Sequence, residues 1–409
     1  MPVRHVFFKI IMVSVVQYNI LSSKLAAPDY YIKCDPNHLK SKYRLQKIKE
    51  RLCSFISSDA IICLQEIPQS WVGALHDVFA ANKYSFITSL YGNFTNDYMG
   101  VGIAYPLNRY HAEDTSVVHV GASIPVPRKK LENFLWRAYD PFYINLYQAL
   151  LCCLTKWKFL FCLLLAWILR GIRTSQTQSN SWIYQLLKRC FGWSYHWAEN
   201  FNKPPFDAWS YSNKRPNTVI MTKLTDMTSN QKFTVATYHM PCAYWEPKVL
   251  TTHTIEVFKI VQRYAAGIPL IFAGDFNFNP ASHQYNIVTS GIDPSSLGSV
   301  IKHPDHPDVS ALGMIWDQKI IPMSSAYKTA HGSEPPFTTQ TYTKVSKSIF
   351  KDTLDYIFYV GSKPCSDLVV GAWTVSSVEV IKDVEGTVIC PNEHEPSDHL
   401  PLQVLLTMD

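Results

Sequence analysis

The chain has 409 residues, 47% of them hydrophobic and 17% charged, which excludes a disordered, fibrous or collagen-like protein. Lys and Arg number 38 against 32 Asp and Glu; the net charge of +6 suits an anionic ligand but is far below that of a nucleic-acid coat protein. The ten cysteines are scattered without a Cys-x-x-Cys pair, so reduced, buried thiols in a cytoplasmic protein are expected rather than a disulfide framework.

The N-terminus, MPVRHVFFKIIMVSVVQYNIL, imitates a signal peptide but lacks a small-residue cleavage site. Its apolar part, IIMVSVVQYN at 10–19, reads as a buried strand that stops at a polar residue, Asn19. Helical spacing over 40–57 leads to a second such run, DAIICLQE (59–66), ending in Glu66. GVGIAYP (100–106), NTVIMTKL (217–224) and FTVATYHM (233–240) follow, the last carrying His239. A predicted helix over 248–264 precedes PLIFAGDFN (269–277) with Asp275 and Asn277. Asp355 lies inside TLDYIFYV (353–360), and Asp398-His399 inside EPSDHLPL (395–402). Strands alternating with helices predict an α/β fold, a sheet covered by helices.

One region departs from this pattern. Residues 142–169, FYINLYQALLCCLTKWKFLFCLLLAWIL, form two apolar stretches split by Lys156-Trp157-Lys158, with Arg128, Lys129, Lys130, Arg170 and Arg173 flanking them. Each stretch is shorter than the about 20 residues a spanning helix needs, and a single crossing would separate Glu66 from Asp275. Two readings stand level: a buried helical pair, and an interfacial anchor making a peripheral membrane contact.

Polar residues collect where apolar strands stop, which is where ligand groups converge in layered α/β proteins. Asn19, Glu66, His239, Asp275, Asn277, Asp355, Asp398 and His399 supply mainly carboxylate and amide oxygens, the ligands of a hard cation, so Mg²⁺ or Mn²⁺ is expected and zinc is not. Singly, a Glu at a strand end is more often a rim residue and a Gly-Asp pair an ordinary turn. Asp355 differs, because a carboxylate among apolar strand neighbours must have a partner. Phosphodiester hydrolysis needs what this set offers: a cation against developing charge, a base for water and a proton donor for the leaving oxygen.

Taken in order, QYNIL, LQE, YHMP, GDFNFNP, LDYIFY and PSDHLPL resemble the endonuclease/exonuclease/phosphatase superfamily, whose type member is deoxyribonuclease I. MSSAY (323–327), GSEPPFTTQTYT (332–343), KDTLDYIFYV (351–360) and CPNEHEPSDHLPL (390–402) are most similar to the branch containing the carbon catabolite repressor deadenylases, nocturnin and the 2′-phosphodiesterases. The resemblance implies a four-layer α/β sandwich, two mixed β-sheets face to face with helices outside. It implies one domain over 1–409, interrupted by an insertion at about 122–207 that contains the apolar helical stretch 142–169. It further implies Glu66 as principal metal ligand, with Asn19 and Asp398 in the same metal region. Asp275 would orient or deprotonate water, and Asn277 would hold that water and the phosphate. His399 would stabilise or protonate, oriented by Asp355, with His239 on the phosphate. Tyr244 and Trp245 could stack a substrate base, although an aromatic pair after a strand more often only packs. NDYMGVGIAYP (96–106) differs from the loop of polyadenylate-specific members, so the resemblance does not extend to poly(A) recognition.

The expected activity is that of a Mg²⁺-dependent phosphodiesterase, a nuclease or nucleotide phosphodiesterase acting on RNA or nucleotides. The alternative is a membrane-docked phospholipid phosphodiesterase or phosphatase, of the neutral sphingomyelinase or inositol-phosphate phosphatase kind, for which 142–169 would be the dock. A degenerate binding scaffold is disfavoured, because every motif position keeps a competent side chain. Oligomeric state is not legible.

Overall fold

The computed structural model describes residues 10–124, 208–291, 320–346, 348–360, 373–379 and 389–408. The stretch 142–169, and the expected insertion beyond residue 124, lie outside the described residues.

The apolar runs become strands because nearly every residue in them is buried, their odd and even positions facing two different cores. In β1 (Ile11–Asn19), Val13 and Val15 face the space between two sheets, while Val16 and Tyr18 face helices outside. β2 (Ile61–Ile67) alternates likewise, with Ile61 and Cys63 inward and Ile62 and Leu64 outward. With β3 (Tyr84–Leu90), β4 (Gly100–Pro106), β13 (Trp373–Val378) and β14 (Leu402–Met408) they make a six-stranded sheet ordered β13-β14-β1-β2-β4-β3. The second six-stranded sheet runs β5-β6-β7-β8-β12-β9, from β5 (Tyr110–His119), β6 (Thr218–Asp226), β7 (Lys232–His239), β8 (Leu270–Asp275), β9 (Ser324–Ser325) and β12 (Asp355–Tyr359). Both sheets are mixed: β1 and β2 are parallel, as are β7 and β8, whereas the remaining pairs are antiparallel. A separate hairpin joins β10 (Thr339–Tyr342) to β11 (Ile349–Asp352).

Helices close the outer faces. Ile48, Leu52 and Phe55 of α1 (Ser41–Ile56) and Trp71, Leu75 and Phe79 of α2 (Gln69–Ala81), at helical spacing, cover the first sheet. The second sheet is covered by α3 (Val120–Ser123), α4 (Ala208–Asn213), α5 (Pro247–Ala265) and α6 (His283–Ser290). A last short helix, α7 (Ala326–His331), adds Ala326 and Tyr327 to the inter-sheet core. This is the expected four-layer α/β sandwich. None of the described helices is long and apolar enough to cross a membrane.

Where β1, β2, β7 and β8 end, the inward-facing positions change from apolar to polar. Val13 and Val15 give way to Gln17 and Asn19, Cys63 to Gln65, Val235 to Thr237 and His239, and Ala273 to Asp275. Gly274 lets β7 and β8 approach there, since a Cβ on it would lie 2.3 Å from the Tyr238 carbonyl oxygen.

Candidate active site

The floor of the site is a row of buried hydrogen bonds between the sheets. Gln17 Nε2 donates to Gln65 Oε1 (2.8 Å) and to Asp355 Oδ1 (2.7 Å), and Gln65 Nε2 donates to Thr237 Oγ1 (3.0 Å). Above it, Asn19 Nδ2 donates to both Glu66 Oε1 (3.1 Å) and Asp275 Oδ2 (2.9 Å), while its oxygen accepts from Leu21 N (2.9 Å). Asn19, which the resemblance puts in the metal region, thus bridges two carboxylates as a donor.

Glu66 reaches the site through a break in the strand's alternation. The β2–β4 register slips between Gln65 and Ile67, and Glu66 takes a left-handed backbone with φ 56°. Ile67 consequently packs in the outer core, a face that strict alternation from Cys63 would deny it, while the bulged Glu66 turns toward Asn19. Its other oxygen accepts from Ser22 N at 3.0 Å. A left-handed conformation costs a non-glycine residue about 1–2 kcal/mol and persists where the surroundings impose it.

Two histidines flank Asp275. His239 Nε2 and His399 Nε2 each lie 3.7 Å from Asp275 Oδ2, too far to hydrogen-bond and far enough to leave donors for a ligand between them. His239 Nδ1 meets the Tyr91 hydroxyl at 2.7 Å. Burial, then the charge of Glu66, push the Tyr91 phenol well up, so it stays protonated, and donation to Nδ1 leaves the ring hydrogen on Nε2. His399 Nδ1 donates to Asp355 Oδ2 at 2.7 Å. Asp355 is wholly buried, and Thr338 Oγ1 also donates to its Oδ2 (2.5 Å). Burial alone would depress the His399 imidazolium, but Asp355 and Asp275 outweigh it and hold the ring well above its ordinary value. Burial, then the charge of Asp355, push the Asp275 carboxyl up, against the pull of both histidines and Asn19.

Asn277, left-handed at φ 50°, gives its backbone N–H to Asp275 Oδ1 (3.0 Å) and its side-chain amide to Met240 O (2.9 Å). Asp398 is half-buried; its Oδ2 accepts from Tyr31 (2.8 Å), and its Oδ1, itself inaccessible, has no hydrogen-bond partner. Burial pushes the Asp398 carboxyl up, and the charge of Glu66 adds to this. Tyr244 and Trp245 lie on the loop between β7 and α5, 74% and 51% exposed, with Trp245 edge-on to Tyr211 at 5.5 Å. That loop borders the site, since Met240 at its start accepts from the Asn277 amide.

The structure thus links Asn19, Glu66, His239, Asp275, Asn277, Asp355 and His399 in one network, with Asp398 coupled electrostatically, and leaves Tyr244 and Trp245 on the adjoining loop. The donor set fits a hard cation: an orphaned buried carboxylate oxygen on Asp398 and a carboxylate turned inward at Glu66. Asp275, Asp355 and His399 also cluster tightly enough to hold an ion, with His399 Nδ1 and Asp355 Oδ2 already bonded to each other. Gln17, Gln65 and Thr237 were legible only as polar residues interrupting apolar strands; Tyr91, Tyr31 and Thr338 lie outside the polar ends of the runs read as strands.

Among curated proteins, the Ccr4 3′-5′-exoribonuclease subunit of the CCR4-Not complex from Emericella nidulans is 33% identical over 147 residues, 34% of this chain and 18% of that protein. Carbon catabolite repressor protein 4 homolog 4 of Arabidopsis thaliana is 30% identical over 182 residues, 41% of this chain and 36% of that protein. The chain thus matches well under half the length of either relative. In fold it is similar to ANGEL2, a 2′,3′-cyclic phosphatase, in complex with adenosine-2′,3′-vanadate (TM-score 0.58, 16% identity, covering 98% and 96% of the two chains). It is also similar to the human nocturnin catalytic domain (TM-score 0.51, 17% identity, covering 98% and 97%). These proteins fall in the branch that the motifs resemble. With residues 16–399 matching it, the chain belongs to the Endonuclease/Exonuclease/phosphatase family.

Proposed function

We propose that the protein is a Mg²⁺- or Mn²⁺-dependent phosphodiester hydrolase acting on RNA or nucleotides. The observation that carries this reading is the placement of two imidazole Nε2 atoms, each 3.7 Å from one oxygen of Asp275, the second ring being backed by buried Asp355. Glu66 and Asp398 would hold the cation, with Asn19 bridging Glu66 to Asp275. When bound, it neutralises charge that develops on the phosphate. Asp275 orients the attacking water and takes its proton, assisted by Asn277. His239 donates to a phosphate oxygen, and His399 protonates the leaving oxygen, held in its tautomer by Asp355. The Ccr4 relatives make single-stranded RNA the first substrate to test. The domain is read as continuous across an insertion at about 122–207, with 142–169 either a buried helical pair or an interfacial anchor making a peripheral membrane contact in a cytoplasmic setting.

Purified protein with Mg²⁺ should cleave single-stranded RNA or a nucleotide diester from a panel that includes DNA and sphingomyelin, and EDTA should abolish the cleavage. Cleavage of sphingomyelin alone would replace this reading with the phospholipid one.

Asp355→Asn should lower turnover by about 10³- to 10⁴-fold, as loss of a tautomer-fixing carboxylate does elsewhere, with metal affinity nearly unchanged. Asp355 raises His399, which must be protonated to act as an acid, so the alkaline limb of the rate profile should move to lower pH in the variant. An unmoved limb would remove Asp355 from this role.

A further inference from the structure

Among the described residues, the mechanism leaves the buried cation Arg44 unused. Arg44 of α1 is fully buried with its guanidinium over the Trp71 ring, 5.2 Å from the centroid. Its hydrogen bonds run to main-chain carbonyls: Nε to Pro396 O, and Nη2 to Ile20 O and Leu21 O, each at 2.6 Å. These carbonyls lie on the segment that holds Glu66 and on the segment that carries Asp398. After Ile20 and Leu21 comes Ser22, whose N–H holds Glu66 Oε2 at 3.0 Å. After Pro396 comes Ser397, whose hydroxyl donates to Asn19 O at 2.7 Å, and then Asp398. Leu21 has a left-handed backbone, φ 51°, a conformation that an external hold must impose. Tyr43 and Arg51 of the same helix bond Glu393 O (3.4 Å) and the Glu395 carboxylate (3.1 Å), but reach only the second segment. Arg44 reaches both.

We propose that Arg44 is a positioning residue whose guanidinium fork fixes Glu66 and Asp398 relative to one another so that they close on one divalent cation; this rests on the reading of those two carboxylates as its ligands. Charge alone does not account for Arg44. Glu66 and Asp398 are within electrostatic reach of its positive charge, which would oppose a second cation beside them. Geometry accounts for it better: a planar fork can serve two loops at once, whereas a lysine ammonium is a point charge on a flexible stem.

The test measures Mn²⁺ binding by electron paramagnetic resonance in the wild type, Arg44→Lys and Arg44→Met. Thermal melting and kcat and KM for bis(4-nitrophenyl) phosphate are measured alongside. Arg44→Lys should stay folded, bind Mn²⁺ about tenfold more weakly and turn over about 100-fold more slowly, with KM unchanged. Arg44→Met should bind no more tightly than Arg44→Lys, although a repulsive charge is gone. Wild-type Mn²⁺ affinity in Arg44→Lys, or tighter binding in Arg44→Met than in wild type, would overturn the proposal while leaving the cation reading intact. If neither variant folds, Arg44 belongs to the stability of the core and the proposal falls. If the wild type itself binds no Mn²⁺, the cation reading falls first and takes the proposal with it.

Discussion

Asp275→Asn should reduce turnover by about 10⁴-fold, and His399→Ala by a similar factor, because the two groups serve opposite ends of one displacement. Their geometry already makes them a unit: both answer to Asp355, one by hydrogen bond and the other by repulsion across the buried site. Once either is lost, the other has no partner step to assist, so the double variant should be no more than about tenfold slower than the worse single one. Single-turnover rates of all three variants on a short RNA decide the matter. Losses that simply multiply would mean independent roles and would dissolve the acid–base pairing.

The second large effect is expected at Glu66, where function and stability should separate. Glu66→Gly removes the carboxylate proposed to hold the cation, and turnover should fall by about 10³-fold. The same change relaxes a residue held at φ 56°, regaining about 1–2 kcal/mol of left-handed strain, against about 0.5–1 kcal/mol lost to glycine's freedom in the unfolded chain. Repulsion from Glu66 on Asp398 is also relieved. Against these gains, the Ser22 N–H and the Asn19 amide lose a charged acceptor, so the variant should melt near the wild-type temperature while being nearly inactive. A marked drop in melting temperature would show Glu66 to be a structural member of the bulge, and full activity would end its assignment to the cation.

Much of this fold was legible in the sequence because its central strands are buried on both faces. β1, β4, β8 and β12 fall within runs read as strands, β2, β6 and β7 overrun theirs by one or two residues, and helices expected over 40–57 and 248–264 are found at Ser41–Ile56 and Pro247–Ala265. β5 and β14 were not legible. β5 is an edge strand, largely exposed and bulged between Ala112 and Asp114, and β14 alternates buried and half-buried positions without a long apolar run. The site residues were visible as polar stops at strand ends, but their orientation was not. Nothing in LQE announces that the strand breaks its alternation at Glu66, since the bulge uses no glycine. Nor does QYN show that the Asn19 amide faces two carboxylates.

β5 and β6 stay paired from Tyr110–Asp226 to His119–Thr218, so the chain that leaves after α3 and returns at α4 does so between the closed ends of a hairpin. Closing a chain costs free energy only as the logarithm of its length, about 0.6 kcal/mol for each doubling. A connection of a few residues lengthened to one running from His119 to Thr218 adds between four and five doublings, about 3 kcal/mol, within the margin of an ordinary domain. The strand pairs on either side, and the floor of Gln17, Gln65 and Thr237 beyond them, are held by pairings that include no residue of that connection. In a sandwich of this kind the reacting groups are written into strand parity, and the β5–β6 connection is where new sequence can be added at small thermodynamic expense.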